Sequence, residues 1–361
     1  GYMHIGNLRT ALFEFLIAKH EGGDFLLRIE DTDQERKVEG AVDVIYKTLK
    51  ECGLNWDEGP DIGGDFGPYV QSERLPMYKG YAEDLIKLGG AHYCFCSEEE
   101  IEAQRKEAES LGISFKFNDP CKHLSAEEVQ AKLDAGEPYV IRQTIKDVGE
   151  TYFDDEVYGR IEVDGDVLDE QILIKSDGYP TYNFANIIDD HQMQISHVVR
   201  GNEYLSSTPK YNLIYDAYGW QRPTYVHVPP VMKDEHHKLS KRNGDASFQD
   251  LVAKGYLPDA IMNYIALLGW APETEQEIYT LDELIKVFNI HRISKSPAIF
   301  DIDKLTWMNG VYLRNMDEET YYETVRPYLE KAVHGPYNLK EIAKIIQPRI
   351  DILNQIEESV D

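Results

Sequence analysis

The stretch that most constrains this chain runs from His4 to Asp33. A glycine-punctuated turn, His4-Ile5-Gly6-Asn7, leads at once into Leu8, Ala11, Leu12, Phe15 and Leu16, whose i, i+3, i+4, i+7, i+8 spacing describes one apolar face of a helix. Gly22-Gly23 stops that helix, and Phe25-Leu26-Leu27-Arg28-Ile29 reads as a short buried strand. Helix followed by buried strand is the grammar of an α/β sheet. Glu30, Asp31, Thr32 and Asp33 come directly after the strand, where such sheets hold ligands. Glu30 is thus placed to meet a cationic group, while Thr32 or Asp33 is placed to cap a helix with apolar positions Val38, Val42, Ile45 and Leu49.

The turn has a chemistry of its own. A helix N-terminus leaves backbone N–H groups unpaired and carries partial positive charge, so it attracts phosphate. His4 and Asn7, three residues apart, fall on one side of it. The plainer reading is a helix cap with a surface histidine.

Two later stretches repeat the pattern of charge beside structure. A strand from Ile195 to Val199 ends in Arg200-Gly201-Asn202-Glu203, which sets Arg200 to meet an anionic substrate group or, more simply, a neighbouring acid. The run His237-Lys238-Leu239-Ser240-Lys241-Arg242-Asn243-Gly244 gathers cations before an Asn-Gly turn, as a loop that folds over phosphates would, or as a solvated basic turn would. Between them and the first strand, Tyr182 and Asn186 are four apart, which on a helix aligns a hydroxyl and an amide.

With 37 basic against 65 acidic residues the net charge is −28, which argues against unspecific binding to nucleic acid or anionic membrane but leaves room for a local basic groove. Its 361 residues suffice for two or more domains. No long uncharged apolar run suggests a membrane span, so a cytoplasmic protein is expected. Four cysteines are too few for a disulfide scaffold. Cys94-x-Cys96 and Cys121-x-His123 each offer two ligands to one side of an extended segment, a spacing that suits a structural zinc site or else ordinary buried cysteines. Cys52 has no such partner and reads as core.

The character changes near Ala91. A cysteine-bearing strand, a charged helix from Glu98 to about Ser110 and a helix opened by the capping box Ser125/Glu128 read as an insertion, followed by strand candidates at 139–141, 161–163 and 171–174. Beyond residue 250 the pattern is helical, bundle-like from Glu318 onward.

In order along the chain, His4-Ile5-Gly6-Asn7, Arg28 to Asp33, Ser176 to Asn186 and Lys238 to Arg242 resemble the signatures of class I aminoacyl-tRNA synthetases, specifically the bacterial glutamyl-tRNA synthetases. The first stands at that family's HIGH motif and the last at its KMSKS motif. The resemblance implies a Rossmann-type parallel sheet in two halves, 1–90 and 176–230, split by an acceptor-stem-binding domain at 91–175. A stem-contact domain at 231–310 and the start of a helical anticodon-binding domain at 311–361 would follow. It implies ATP-dependent ligation of L-glutamate to tRNA(Glu) through a glutamyl-adenylate, with Mg2+ accompanying ATP. His4, Gly6, Asn7, Glu203, Leu239, Ser240, Lys241 and Arg242 would bind ATP, with His4, Asn7, Lys238 and Lys241 acting in catalysis. Glu30 would receive the amino group of glutamate, and Tyr182, Asn186 and Arg200 its carboxylates. Cys94, Cys96, Cys121 and His123 match the family's zinc pattern.

Full-length members carry a strand and a Pro-Ser-Pro-Thr run before the position of Gly1, and continue past Asp361. The rival readings are a glutamyl-queuosine-tRNA synthetase-like enzyme, disfavoured by the long helical stretch after Arg242, and a catalytically inert tRNA-binding fragment.

Overall fold

The computed structural model describes residues 3–32, 39–146, 148–240 and 246–361. Helix α1 (Ile5–His20) sits at the centre of the largest core. Its buried residues include Phe13 and Ile17 besides the predicted Leu8, Leu12, Phe15 and Leu16, so it is covered on more than one side. A helix apolar around most of its circumference must be enclosed in this way. Strand β6 (His197–Gly201) and helices α9 (Pro258–Ala266) and α10 (Leu281–Val287) supply the cover.

The predicted strand at 25–29 is extended but pairs only intermittently, through parallel bridges Leu26↔Glu58 and Ile29↔Val70. Its partners lie at either end of 58–70, a stretch broken by Gly59, Pro60, Gly63, Gly64, Gly67 and Pro68, which cannot keep a ladder in register. The helix after Glu30 begins late: α2 (Ala41–Glu51) is capped by Gly40, so Thr32 does not cap it, and Asp33 and Val38 lie outside the described residues. Gly40 has φ 79°, a conformation that glycine adopts without strain.

Helix α3 (Leu75–Lys87) covers an antiparallel sheet of order β1-β2-β5, formed by β1 (Ala91–Cys94), β2 (Val140–Gln143) and β5 (Ile172–Ile174). Helices α4 (Glu98–Ser110) and α5 (Ala126–Asp134) fall between β1 and β2, and the Ser125/Glu128 capping box forms as expected. Strands β3 (Glu150–Asp155) and β4 (Gly159–Asp164) form a hairpin that joins β6 and β7 (Thr224–Val228) in one sheet of order β4-β3-β7-β6. In it β3 and β6 both run parallel to β7, with Asp155 opposite Tyr225 and Arg200 opposite His227. Helices α6 (Tyr182–Gln192) and α7 (Thr208–Tyr218) flank β6 in sequence and share a second core with α3.

After β7 the short parallel pair β8 (Val231–Met232) and β9 (Ala298–Ile299) brackets α8 (Phe248–Ala253), α9 and α10. Helix α11 (Ile302–Asn315) then leads to a third core made with α12 (Glu318–Ala332), α13 (Leu339–Ile346) and α14 (Ile356–Ser359). The buried Tyr321, Val325 and Leu329 of α12 recur every fourth residue, as the bundle pattern required.

Candidate active site and metal cluster

His4 caps α1 with its own ring: Nδ1 accepts from the Gly6 amide at 2.9 Å. A neutral imidazole that accepts at Nδ1 carries its proton on Nε2. That nitrogen lies 3.0 Å from the backbone oxygen of Leu239 and donates to it. On the far side of residues 241–245 the Ile5 amide donates to Ala246 O at 2.8 Å, Phe248 N to Met3 O at 3.0 Å, and Met3 N to Gln249 Oε1 at 3.0 Å. The turn is thus stitched to both flanks of residues 241–245. Lys241 and Arg242 themselves lie outside the described residues. Lys238 and Ser240 are exposed and Leu239 is buried.

These bonds change what the turn offers an anion. Of the amides that precede the first helical bond, Leu8 N to His4 O, those of Ile5 and Gly6 are already used internally, and among the described residues only the Asn7 amide is left without an acceptor. Asn7 is exposed at the helix start. Glu203 follows β6 on an exposed turn, folded back so that its carboxylate fills the space beside Gly201 that a Cβ would take.

The four residues expected to hold glutamate, Glu30, Tyr182, Asn186 and Arg200, line one cavity of about 220 Å3. Glu30 accepts from Arg28 Nη2 at 3.1 Å, and Arg28 also bonds Asp190 at 2.9 Å. Burial pushes the Glu30 carboxyl up, and the Arg28 charge pulls it back. Burial of its hydroxyl also pushes Tyr182 up, and the Asn186 amide one turn along α6 opposes the rise. Buried Gln71 donates from Nε2 to Asn186 Oδ1 at 3.0 Å and to Asp189 Oδ2 at 2.8 Å. With its carbonyl occupied, the Asn186 side chain turns its NH2 donors elsewhere.

Arg200 lacks the neighbouring acid of the simpler reading: no carboxylate among the described residues lies within ion-pair distance. Nε donates to His227 Nε2 at 3.1 Å and Nη2 to Thr208 Oγ1 at 2.9 Å. The guanidinium carbon lies 5.2, 5.1 and 5.2 Å from the ring centres of Tyr204, Tyr211 and Tyr225. Burial lowers the His227 pKa against the opposing pull of Asp155, which favours the neutral ring.

Gln71, His227, Asp155 and the buried Asp189 escaped the sequence reading. A histidine between valines of a strand, and consecutive acids on the apolar helix that carries Asn186, were the available signals. Asp189 is a hub, accepting from Arg74 Nε at 2.8 Å, from the Tyr78 hydroxyl at 2.9 Å and from Gln71.

Cys94, Cys96 and Cys121 converge, and the fourth ligand atom is a carboxylate oxygen of Asp119; the four lie within 4.8 Å of one another. His123 is exposed and outside the cluster. The segment Pro120–His123 is a single turn of 3-10 helix, not extended chain. Residues two apart on it point to different sides, so Cys121 faces inward and His123 outward. Asp119, which caps the turn, accepts from Cys121 N at 2.9 Å and contacts Cys96 Sγ at 3.4 Å, while His92 Nε2 lies 2.6 Å from its other oxygen. Burial alone would raise this carboxyl, but the bonds from His92, Cys94 and Cys121 N hold it well below the usual range. The Cys96 and Cys121 sulfurs are 3.7 Å apart. Two thiolates bound tetrahedrally to zinc, each at about 2.3 Å, would be separated by about 3.8 Å. Three thiols and a carboxylate are a donor set that fits this metal.

The fold and site together define a class I aminoacyl-tRNA synthetase. The family model described as tRNA synthetases class I (E and Q), catalytic domain, matches residues 1–307, and the chain belongs to that family. Its whole length is 59% identical to the glutamate–tRNA ligase of Clostridium botulinum strain Hall and 58% identical to that of Clostridium tetani, covering 74% of each. A crystal structure of a glutamate tRNA ligase from Elizabethkingia meningosepticum, in complex with its amino acid, superposes over 100% of this chain and 77% of that one with a TM-score of 0.93 at 36% identity.

Proposed function

We propose that this chain activates L-glutamate with ATP and transfers it to tRNA(Glu). The observation that carries the reading is the single cavity that unites Glu30, Tyr182, Asn186 and a guanidinium that has no carboxylate partner among the described residues. An amino acid with two carboxylates and an ammonium matches that set of charges. The α-carboxylate attacks the α-phosphorus of ATP, the bond to pyrophosphate breaks, and glutamyl-adenylate forms. A ribose hydroxyl of the tRNA then takes the acyl group and AMP departs. The attacking groups belong to the substrates, so the protein's task is positioning and charge stabilisation.

In this reading His4, Gly6, Asn7, Leu239, Ser240 and Glu203 bind ATP, and Lys238 with Lys241 and Arg242 offsets phosphate charge as pyrophosphate leaves. Mg2+ would share that charge on the phosphates. Glu30 takes the ammonium, and Tyr182, Asn186 and Arg200 take the carboxylates. Glutamine is disfavoured because a neutral amide leaves the half-buried Arg200 charge unpaired. Zinc held by Cys94, Cys96, Cys121 and Asp119 would serve structure, in an insertion at 91–175 that meets the acceptor stem, with 231–310 and 311–361 contacting the rest of the tRNA. No helix among the described residues is long and apolar enough to cross a membrane, and the reaction belongs in the cytoplasm.

The test is ATP–pyrophosphate exchange and acylation with labelled amino acid. Exchange should require both glutamate and tRNA(Glu), and glutamine should support far less of it. Exchange that proceeds without glutamate, or equally with glutamine, overturns the reading.

A further inference from the structure

Arg200 is held in place by neutral partners, in a chain whose acidic residues far outnumber its basic ones. An ion pair would be the commoner way to fix a guanidinium, but it would neutralise the charge that a ligand carboxylate needs. We infer that His227, itself fixed by Asp155, is a positioning residue that aims Arg200 into the cavity and leaves its charge free for the substrate carboxylate. This rests on the reading of Arg200 as a carboxylate anchor.

The relay follows from strand register. Three neighbouring strands of one sheet each give one member: Asp155 from β3, His227 from β7, and Arg200 from β6, directly opposite His227. Asp155 Oδ1 lies 2.5 Å from His227 Nδ1 and sets the ring proton there, so Nε2 presents a lone pair to Arg200 Nε. The carboxylate is otherwise satisfied, with Oδ2 accepting from Val157 N and Tyr158 N at 3.0 Å each. Its charge is thus kept one imidazole away from the guanidinium. Thr208 Oγ1 holds Nη2 and donates onward to Tyr204 O at 2.7 Å, and the tyrosine rings around the guanidinium restrict its tilt. An arginine has five N–H groups in a rigid fork, so fixing Nε and one Nη2 hydrogen leaves three to present.

Two substitutions of similar size separate aiming from packing. In His227→Asn the side-chain amide reaches the position of Nδ1 and keeps a bond to Asp155 but offers nothing to Arg200. In His227→Gln an amide oxygen reaches the position of Nε2 and can still accept from Arg200. For exchange on the full chain, His227→Asn should raise the KM for glutamate roughly 10- to 100-fold, with the KM for ATP unchanged, and His227→Gln should recover most of the loss. Equal effects of the two variants, or parallel rises in both KM values, overturn the relay.

Arg200→Lys distinguishes the two levels of the argument. If it leaves the glutamate KM unchanged, the anchor reading fails. If it raises that KM and His227→Asn does not, the relay alone fails. Should neither His227 variant fold, 15N NMR of the unsubstituted chain decides: the relay requires the proton on Nδ1 of His227, and a ring protonated on Nε2 excludes it.

Discussion

The His4 ring donates from Nε2 to the backbone oxygen of Leu239 across 3.0 Å, while its Nδ1 accepts from Gly6 two residues along. One imidazole therefore closes the first helix and joins it to the arm that carries Lys238. The two motifs expected to clamp ATP touch each other through this side chain.

The two functions of His4 separate by substitution. Asparagine is a good helix cap and keeps an oxygen near the position of Nδ1, but it is too short to reach Leu239. His4→Asn should leave the melting temperature nearly unchanged and slow pyrophosphate exchange on the order of 100-fold. His4→Ala should do the same to the rate and also cost about 1 kcal/mol of stability through the lost cap. Thermal melts alongside exchange assays check both; a rate that follows stability in the two variants contradicts the division.

The metal cluster gives a contrast between neighbours. Asp119→Ala removes a converging ligand atom and should lower zinc content by at least tenfold at limiting metal, whereas His123→Ala should retain one zinc per chain. Metal analysis of protein purified without added chelator is the measurement. The opposite ranking would mean that the turn at 120–123 unwinds to bring His123 inward.

The local chemistry of this fold was readable from the sequence, because turns, caps and helical spacing are encoded within a few residues. His4 as a cap position, the Ser125/Glu128 box and the alignment of Tyr182 with Asn186 are of this kind. What was not readable depends on register between distant strands. Nothing near His227 announces that β6 will set Arg200 opposite it, or that β3 will bring Asp155 to its other side. The strand β3 itself was missed, because its acidic residues mask the alternation that marks a half-buried strand. His123 was drawn into the zinc set by spacing that presumes extended chain, and one helical turn removes it.

Asp189 is fully buried and accepts from Arg74, Gln71 and Tyr78, with Arg28 Nε at 3.7 Å. Removing its charge leaves the buried Arg74 guanidinium without an ion-pair partner among the described residues. Breaking a buried pair from one side costs about 3–5 kcal/mol. Asp189→Asn keeps the shape and should lower the urea midpoint by that equivalent. A neutral outcome would show that solvent reaches Arg74 and screens it.

Glu14 ties stability to pH. It lies on α1, lines the same cavity and accepts from the Val199 amide at 3.0 Å. Burial pushes its carboxyl up to about 8, with the nearby Asp190 adding to the rise and the Val199 bond opposing it. A carboxyl that binds its proton more tightly when folded than when unfolded, where its pKa is about 4.3, stabilises the fold fully below that lower value. The contribution is lost as pH climbs through about 8. Glu14→Gln keeps an oxygen for the Val199 amide and cannot ionise. The variant and the parent chain should therefore melt at nearly the same temperature at low pH. They should diverge as pH rises, with the variant ahead by on the order of 5 °C under alkaline conditions. Melting curves across the pH range check the sign, since a constant offset between the two proteins would mean that Glu14 carries its charge into the fold without penalty.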